Sequence, residues 1–320
     1  MTRTWWAARP GTALVAVVTG GTLALVGCSP HGGSGASAAG GAAPSGTGAP
    51  AWPAAVPASG LAKGLALPME SYMEPYADTV VVQQAVDRLA AQCMKRYGYD
   101  YTAPVRGLTP PPSSDDSNMT RRYGITDQDL AARFGYFLGD SEQTPPPAQR
   151  LTSAETAVLT GRLAIARGAA KAPTKAGGKT IPEDGCVGEA TRRIGPRIDA
   201  SLASRLDYES LRRSQSDPRV LAAVDAWSRC MKAKGYTVDS PLNAAKLTPD
   251  TDHGQATRAD ITTALADIAC KRSTGLVKTW FTVESALQRR QIEQNQLPLT
   301  QLKQQIASEV KAATTVLGRK

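Results

Sequence analysis

The chain has 320 residues, with 37 Lys and Arg against 28 Asp and Glu, a formal charge of +9. Aromatic residues make up only 5% of it, which leaves no basic-aromatic platform and argues against nucleic-acid binding. Only two histidines are present, His31 and His253, so a His-based metal cluster is excluded, and no motif calls for a cofactor.

The first 27 residues have the build of a secretory signal peptide. Arg3 and Arg9 form a basic start, and an apolar run extends from about Thr12 to Val26. Leu25-Val26-Gly27-Cys28 resembles a bacterial lipobox, and the resemblance implies cleavage before Cys28 and acylation of its sulfur. Two acyl chains anchor stably where one does not, and a lipobox cysteine carries a diacylglyceryl group. The expected address is the outer face of the cytoplasmic membrane, with the membrane as a partner through Cys28. Losing Arg3 and Arg9 lowers the formal charge to +7, a modest excess that suits anionic lipid or wall polymer nearby. No apolar stretch of about 20 residues follows Cys28, so no later membrane-spanning helix is expected.

Residues 28–62 are almost wholly Gly, Ala, Ser and Pro, a composition that cannot bury enough apolar surface to order itself. They are expected to be a disordered tether, with the extracytoplasmic domain spanning 63–320. As a flexible coil the tether would reach roughly 30 Å.

Within the domain one pattern occurs twice. Cys93-Met94-Lys95-Arg96-Tyr97-Gly98-Tyr99 matches Cys230-Met231-Lys232-Ala233-Lys234-Gly235-Tyr236, and Pro104 and Pro241 follow at the same distance. An amphipathic helix precedes each copy: Val82, Val86, Leu89 and Cys93 share a face in the first, and Val220, Val224, Trp227 and Met231 in the second. Gly98 and Gly235 stand where a helix C-terminus wants a left-handed residue, and Lys95, Lys232 and Lys234 suit the negative end of the helix dipole. The repeat divides the domain into halves of about 72–215 and 216–320.

Apart from Cys28 there are four cysteines, an even number that reads as two disulfides in an oxidising compartment. Three connectivities are open. The simplest gives each repeat one bridge, Cys93–Cys186 and Cys230–Cys270. There is no C-x2-C pair to suggest zinc.

Helix is expected from about Pro75 to Tyr97, then a Pro-rich connection over 100–117, and a short helix begun by Thr126 or Asp127. Thr152 or Ser153 with Glu155 predicts a capped helix running to about Arg167, followed by a flexible basic loop over 168–182. Asp184 starts a helix toward Ser214 with a bend at Gly195-Pro196, and Asp217-Pro218 starts the next. From about Ala256 the chain reads as long helix, interrupted at Pro298, with a Gln- and Arg-rich solvent face over 288–296. Without a strand ladder the fold class is mainly α: a helical domain built from two disulfide-linked helix-CMKxxGY repeats, with long C-terminal helices.

Gly139-Asp140-Ser141 with Asp250-x-x-His253 resembles the Ser and Asp-His blocks of the SGNH/GDSL hydrolases. The resemblance implies Ser141 as nucleophile and His253 as base, oriented by Asp250. Glu142 replaces the usual Leu, and no Gly-x-Asn-Asp block supplies oxyanion donors. Gly177-Gly178-Lys179-Thr180 is similar to a phosphate loop, but Pro173 fills the first glycine position and Ile181-Pro182 follows where a helix is needed. Asp250-Thr251-Asp252 is similar to the start of an EF-hand, yet Gly254 and Ile261 stand where oxygen ligands belong.

The lipobox, the tail, the paired C-M-K segments and the Gln-rich helices together resemble the hypothetical lipoproteins common in actinobacteria such as streptomycetes. That resemblance implies no defined activity. The expectation is a lipid-anchored, non-enzymatic surface protein that binds or scaffolds at the envelope, with an envelope protein partner such as a transporter or wall-building complex. The alternatives are a serine hydrolase using Ser141 and His253, and a solute-binding lipoprotein of two α/β lobes.

Overall fold

A computed structural model describes residues 52–137, 147–196, 198–248 and 256–318. Helix dominates it, as the apolar periodicity predicts. The first helix, α1 (Tyr76–Arg96), buries Val80, Ala85, Leu89, Ala90, Cys93 and Met94. The second copy of the repeat ends α6 (Pro218–Ala233), which buries Val220, Ala223, Trp227 and Met231. Asp217 caps α6 by accepting from the Arg219 amide, and Pro218 takes the first helical position, where a missing N–H costs nothing.

The two repeat endings have the same geometry. Gly98 (φ +80°) and Gly235 (φ +91°) are both left-handed. The Gly98 amide donates to the Lys95 carbonyl and the Tyr99 amide to the Met94 carbonyl; Gly235 donates to Lys232 and Tyr236 to Met231 in the same way. This pair of bonds is the Schellman closure; any non-Pro residue could donate the second bond, and the Tyr side chains add packing, Tyr99 and Tyr236 each lying against an apolar cluster.

Both expected disulfides are formed. Cys93 joins Cys186 on α4 (Gly185–Ile194) with Cα atoms 5.5 Å apart, and Cys230 joins Cys270 on α7 (Arg258–Thr274) with Cα atoms 5.7 Å apart. Each bridge ties a repeat helix to a helix packed against it.

Several boundaries differ from expectation. The packed chain starts by Trp52, not at 63: the Trp52 indole donates to the Gly107 carbonyl and meets Tyr76 edge-on at 5.6 Å, while the Leu61 amide donates to Thr126 and Ala62 is fully buried. Within that segment Leu61 and Ala62 join the same apolar cluster as Leu65 and Leu67 just beyond it, which the Gly/Ala/Ser/Pro composition hides.

The helix α3 (Ser153–Thr160) has the expected capping box of Thr152 and Glu155 but stops at Gly161, well before Arg167. Gly161 (φ +69°) lies against Gly185, so close that a Cβ on it would sit 2.9 Å from the Gly185 nitrogen. The helix ends where that backbone contact needs glycine. Beyond it the basic segment is ordered. Arg162 bridges Lys171 in a first hairpin, and β1 (Lys175–Ala176) pairs with β2 (Lys179–Thr180) in a second, turning through Gly177 (φ +52°) and Gly178 (φ +75°). Two left-handed glycines between paired strands make a two-residue hairpin turn, which settles what that Gly-Gly is for.

The helix expected to bend at Gly195-Pro196 is two helices, α4 and α5 (Ser201–Ser214). The C-terminal helix likewise breaks, at Gly275 (φ +64°) and again at Asn295, giving α7, α8 (Leu276–Gln294) and α9 (Gln296–Leu317). Pro298 lies in the first turn of α9, where it removes a donor that has no intrahelical acceptor. A short helix, α2 (Gln128–Phe134), begins as expected at Asp127, whose carboxylate accepts from Asp129 and Leu130.

The halves inferred from the repeat interleave rather than stand apart. One apolar cluster joins α1 and α4 with Ala313 of α9, and another joins the 3-10 segment Pro68–Tyr72, α5 and α9 through Met69, Leu206, Leu299 and Leu302. A third packs Trp227 of α6 against Val277, Trp280 and Val283 of α8, with Tyr123 stacked on Trp280 at 5.0 Å. In sequence α9 belongs to the second half, but in space it packs on α1 of the first.

Candidate functional site

Two buried polar clusters stand out from this apolar interior. The first centres on Arg122, in the loop between α1 and α2. Its guanidinium donates to Asp207 Oδ2 at 2.6 Å, to the Asp207 carbonyl at 2.9 Å, to Glu284 Oε1 at 2.5 Å and to the Ser117 carbonyl at 2.9 Å. Tyr123 donates its hydroxyl to Glu284 Oε2 at 2.8 Å. Gln288 donates to Asp207 Oδ1 at 2.8 Å and accepts from the Met69 amide at 2.9 Å. Gln288 is thus inside, and the face over 288–296 is not wholly the solvent face that its composition predicts.

Burial works against the Arg122 charge, but the hydrogen bonds and attraction of Glu284 and Asp207 outweigh it and hold its pKa above the ordinary value. Burial raises the Asp207 carboxyl, against the pull of Arg122. At the rim of the cluster, burial pushes Glu70 up to about 7, opposed by donors from the Leu67 amide and the Ser117 hydroxyl.

The second cluster is on α7. Lys271 is fully buried; its ammonium donates to Asp267 Oδ2 at 3.0 Å and to the Ile125 carbonyl at 2.8 Å. Asp267 also accepts from the Trp227 indole at 2.8 Å and from the Tyr136 hydroxyl at 3.3 Å. Burial drives Lys271 down and Asp267 up, while the donors around Asp267 favour the ionised carboxylate and hence the ion pair.

These clusters are closed to solvent and their charged groups are engaged by protein partners, which is the chemistry of a clasp between segments. The open surface lies elsewhere. Two grooves meet at Gly195-Pro196. One, of about 580 Å³, runs between that turn and Gln301, Gln304, Gln305 and Glu309 on α9. The other, of about 630 Å³, runs between Arg162 and Val187, Thr191 and Arg192 on α4. Burial lifts the Glu309 carboxyl above its ordinary value.

Comparison with protein-family models, with curated proteins and with solved structures finds no match.

Of the residues singled out by sequence, Cys93, Cys186, Cys230 and Cys270 come together in pairs as expected. Cys28, Ser141, Asp250 and His253 lie outside the described residues. Among the described residues no group of three or more His, Cys, Asp or Glu side chains is placed to hold a metal ion, and no helix is long and apolar enough to cross a membrane. Sequence reasoning missed Arg122, Asp207, Glu284 and the Asp267–Lys271 pair. The only available signal was the i,i+4 spacing of Asp267 and Lys271, which is far commoner on exposed faces.

Proposed function

We propose that this protein is a lipid-anchored cell-surface protein with a non-enzymatic binding or scaffolding role at the envelope. The observation that carries the reading is the accounting of cysteines. Four of the five are consumed in two disulfides, so the remaining one, Cys28, is the residue of the lipobox-like segment. Disulfides of this kind persist in oxidising compartments, which agrees with export. The helical architecture of the described residues lacks the paired α/β lobes that a hinged solute-binding protein would need. The grooves meeting at Gly195-Pro196 offer a contact surface for an envelope partner.

The test is Cys28→Ser in the producing cell. The expected outcome is loss of radiolabelled palmitate incorporation and accumulation of a precursor that keeps its 27-residue leader, because the cut before position 28 depends on the lipobox cysteine. A Cys28→Ser protein that still takes up label, or a parent that takes up none, overturns the anchor. For the binding role, photocrosslinkers at Gln304 and Thr191 in intact cells should trap the same envelope protein; the absence of any adduct from both positions counts against it.

A further inference from the structure

The segment between α3 and α4 has an unusual surface. Residues 161–180 carry Arg162, Arg167, Lys171, Lys175 and Lys179 and no acidic residue. All five cations are exposed. Between the first two, at the tip of the first hairpin, lies the run Leu163-Ala164-Ile165-Ala166. Leu163 is 48% exposed and Ile165 is 75% exposed. Hydrogen bonds hold the tip in place: the Leu163 amide donates to the Ala170 carbonyl, Ala169 to Ala166, Ala172 to Gly161, and the Arg162 guanidinium to the Ala169 carbonyl. The apolar side chains are therefore held out in solvent by an ordered backbone.

We infer that this hairpin is a membrane-surface probe, in which Leu163 and Ile165 enter the interface of an anionic phospholipid bilayer while the flanking cations engage the headgroups. An apolar tip ringed by Arg and Lys suits the boundary between acyl chains and headgroups, and the charge matches anionic lipid. A soluble polyanion would attract the cations but gives the apolar tip nothing to enter. Acidic groups do lie near: Glu183 and Asp184 are exposed at the foot of the hairpins, and Glu189 is paired with Arg96.

The inference rests on the anchored reading only for its location. The foot of the second hairpin is fixed at the C-terminal end of α1, where Lys179 donates to the Arg96 carbonyl and Tyr97 donates to the Thr180 carbonyl. Trp52 packs at the opposite end of that helix, on Tyr76. A helix of this length spans about 30 Å. The chain from Cys28 to Trp52 can extend to about 80 Å, which is more than the length of that helix.

The experiment is co-sedimentation of the chain from position 28 onward, carrying Cys28→Ser, with vesicles of phosphatidylcholine alone or with about one-third phosphatidylglycerol, so that any binding comes neither from a lipid on Cys28 nor from the apolar segment before it. Binding is expected only with the anionic vesicles and should weaken as salt rises. Removing Arg167 should weaken it about five-fold. Leu163→Ser with Ile165→Ser should weaken it about ten-fold or more, because exposed side chains are lost from the bilayer contact and not from the core. As a second reading, Ile165→Trp should show a blue-shifted emission on anionic vesicles. Absence of sedimentation with anionic vesicles overturns the inference. Unchanged binding by the double Ser variant, with no emission shift, reduces the hairpin to a site for polyanions and overturns insertion. Palmitate labelling of the parent reports on the anchor separately, so the two failures are distinguishable.

Discussion

Replacing Lys271 with Met tests whether the buried pair on α7 is a clasp. The substitution keeps the volume of the side chain but deletes two donated bonds, to Asp267 at 3.0 Å and to the Ile125 carbonyl at 2.8 Å. Breaking a buried ion pair by removing one partner costs about 3–5 kcal/mol, because a charge is left uncompensated. Here Asp267 keeps donors from Trp227 and Tyr136, so the lower end applies, and the orphaned carbonyl adds about 1 kcal/mol. The expected loss is about 4 kcal/mol at pH 7. With a urea dependence of about 3 kcal/mol/M, the midpoint falls by more than 1 M under oxidising conditions. The loss should shrink in acid. Burial already raises the folded Asp267 carboxyl above its ordinary 3.8, and the variant loses the Lys271 ammonium that opposes the rise, so its folded state should hold the proton more tightly and its stability should fall as pH rises above 3.8. Adding Asp267→Asn should recover much of the deficit. A single variant within 0.5 kcal/mol of the parent at pH 7, or one whose deficit grows in acid, refutes the reasoning.

Three further outcomes follow from the same geometry. Ser pairs in place of the disulfides should cost roughly 4.6 kcal/mol for Cys93–Cys186 and roughly 3.9 kcal/mol for Cys230–Cys270, since the bridges close sequence separations of 93 and 40 residues; chemical denaturation should return that order, and the reverse order would mean that loop entropy does not govern them. Gly161→Ala should cost about 2 kcal/mol or more, while Gly177→Ala, also at positive φ but facing open space, should cost about 1 kcal/mol, a contrast readable as melting temperatures. Glu70 has a folded pKa of about 7 against an ordinary 4.5, so the protein binds an extra proton when folded and loses stability as pH rises from 4.5 to 7; Glu70→Gln, which still accepts from Leu67 and Ser117, should flatten that slope in urea titrations at several pH values.

What could be read in the chain beforehand was whatever is local. The Asp127, Thr152 and Asp217 caps, the paired Gly-Tyr endings and the pairing of the cysteines all depend on residues within a turn of each other or on a repeated pattern. The helix breaks at Gly161 and Gly275 were less visible, because a single glycine is tolerated in a helix unless something approaches its missing side chain or the cap needs it. At Gly161 that something is Gly185, which is distant in sequence. The interleaving of the halves was hidden for the same reason: the stripe of Leu299, Leu302 and Ile306 announces an apolar face on α9 but not its partner.

The buried charges were the least legible, because apolar periodicity treats every Arg, Glu and Gln as a marker of the outside. Yet their placement has a physical logic. Arg122 lies in an irregular stretch of chain, without a helix ladder to satisfy its backbone or set its register. Met119, Tyr123 and Ile125 bury that stretch in the core, but apolar contact is not directional. The fork of Arg122 accepts only one arrangement of Asp207, Glu284 and the Ser117 carbonyl, so the loop is held at one position. Gln288 extends the same constraint to the Met69 amide, fixing the 3-10 segment to α8. The polar cluster thus does for the irregular segments what the disulfides do for the helices. Its removal as a set, with apolar residues of matched volume, should leave the helices and disulfides in place while freeing residues 117–126, which amide hydrogen exchange would detect as faster exchange confined to that segment; unchanged exchange there would mean that packing alone sets the register.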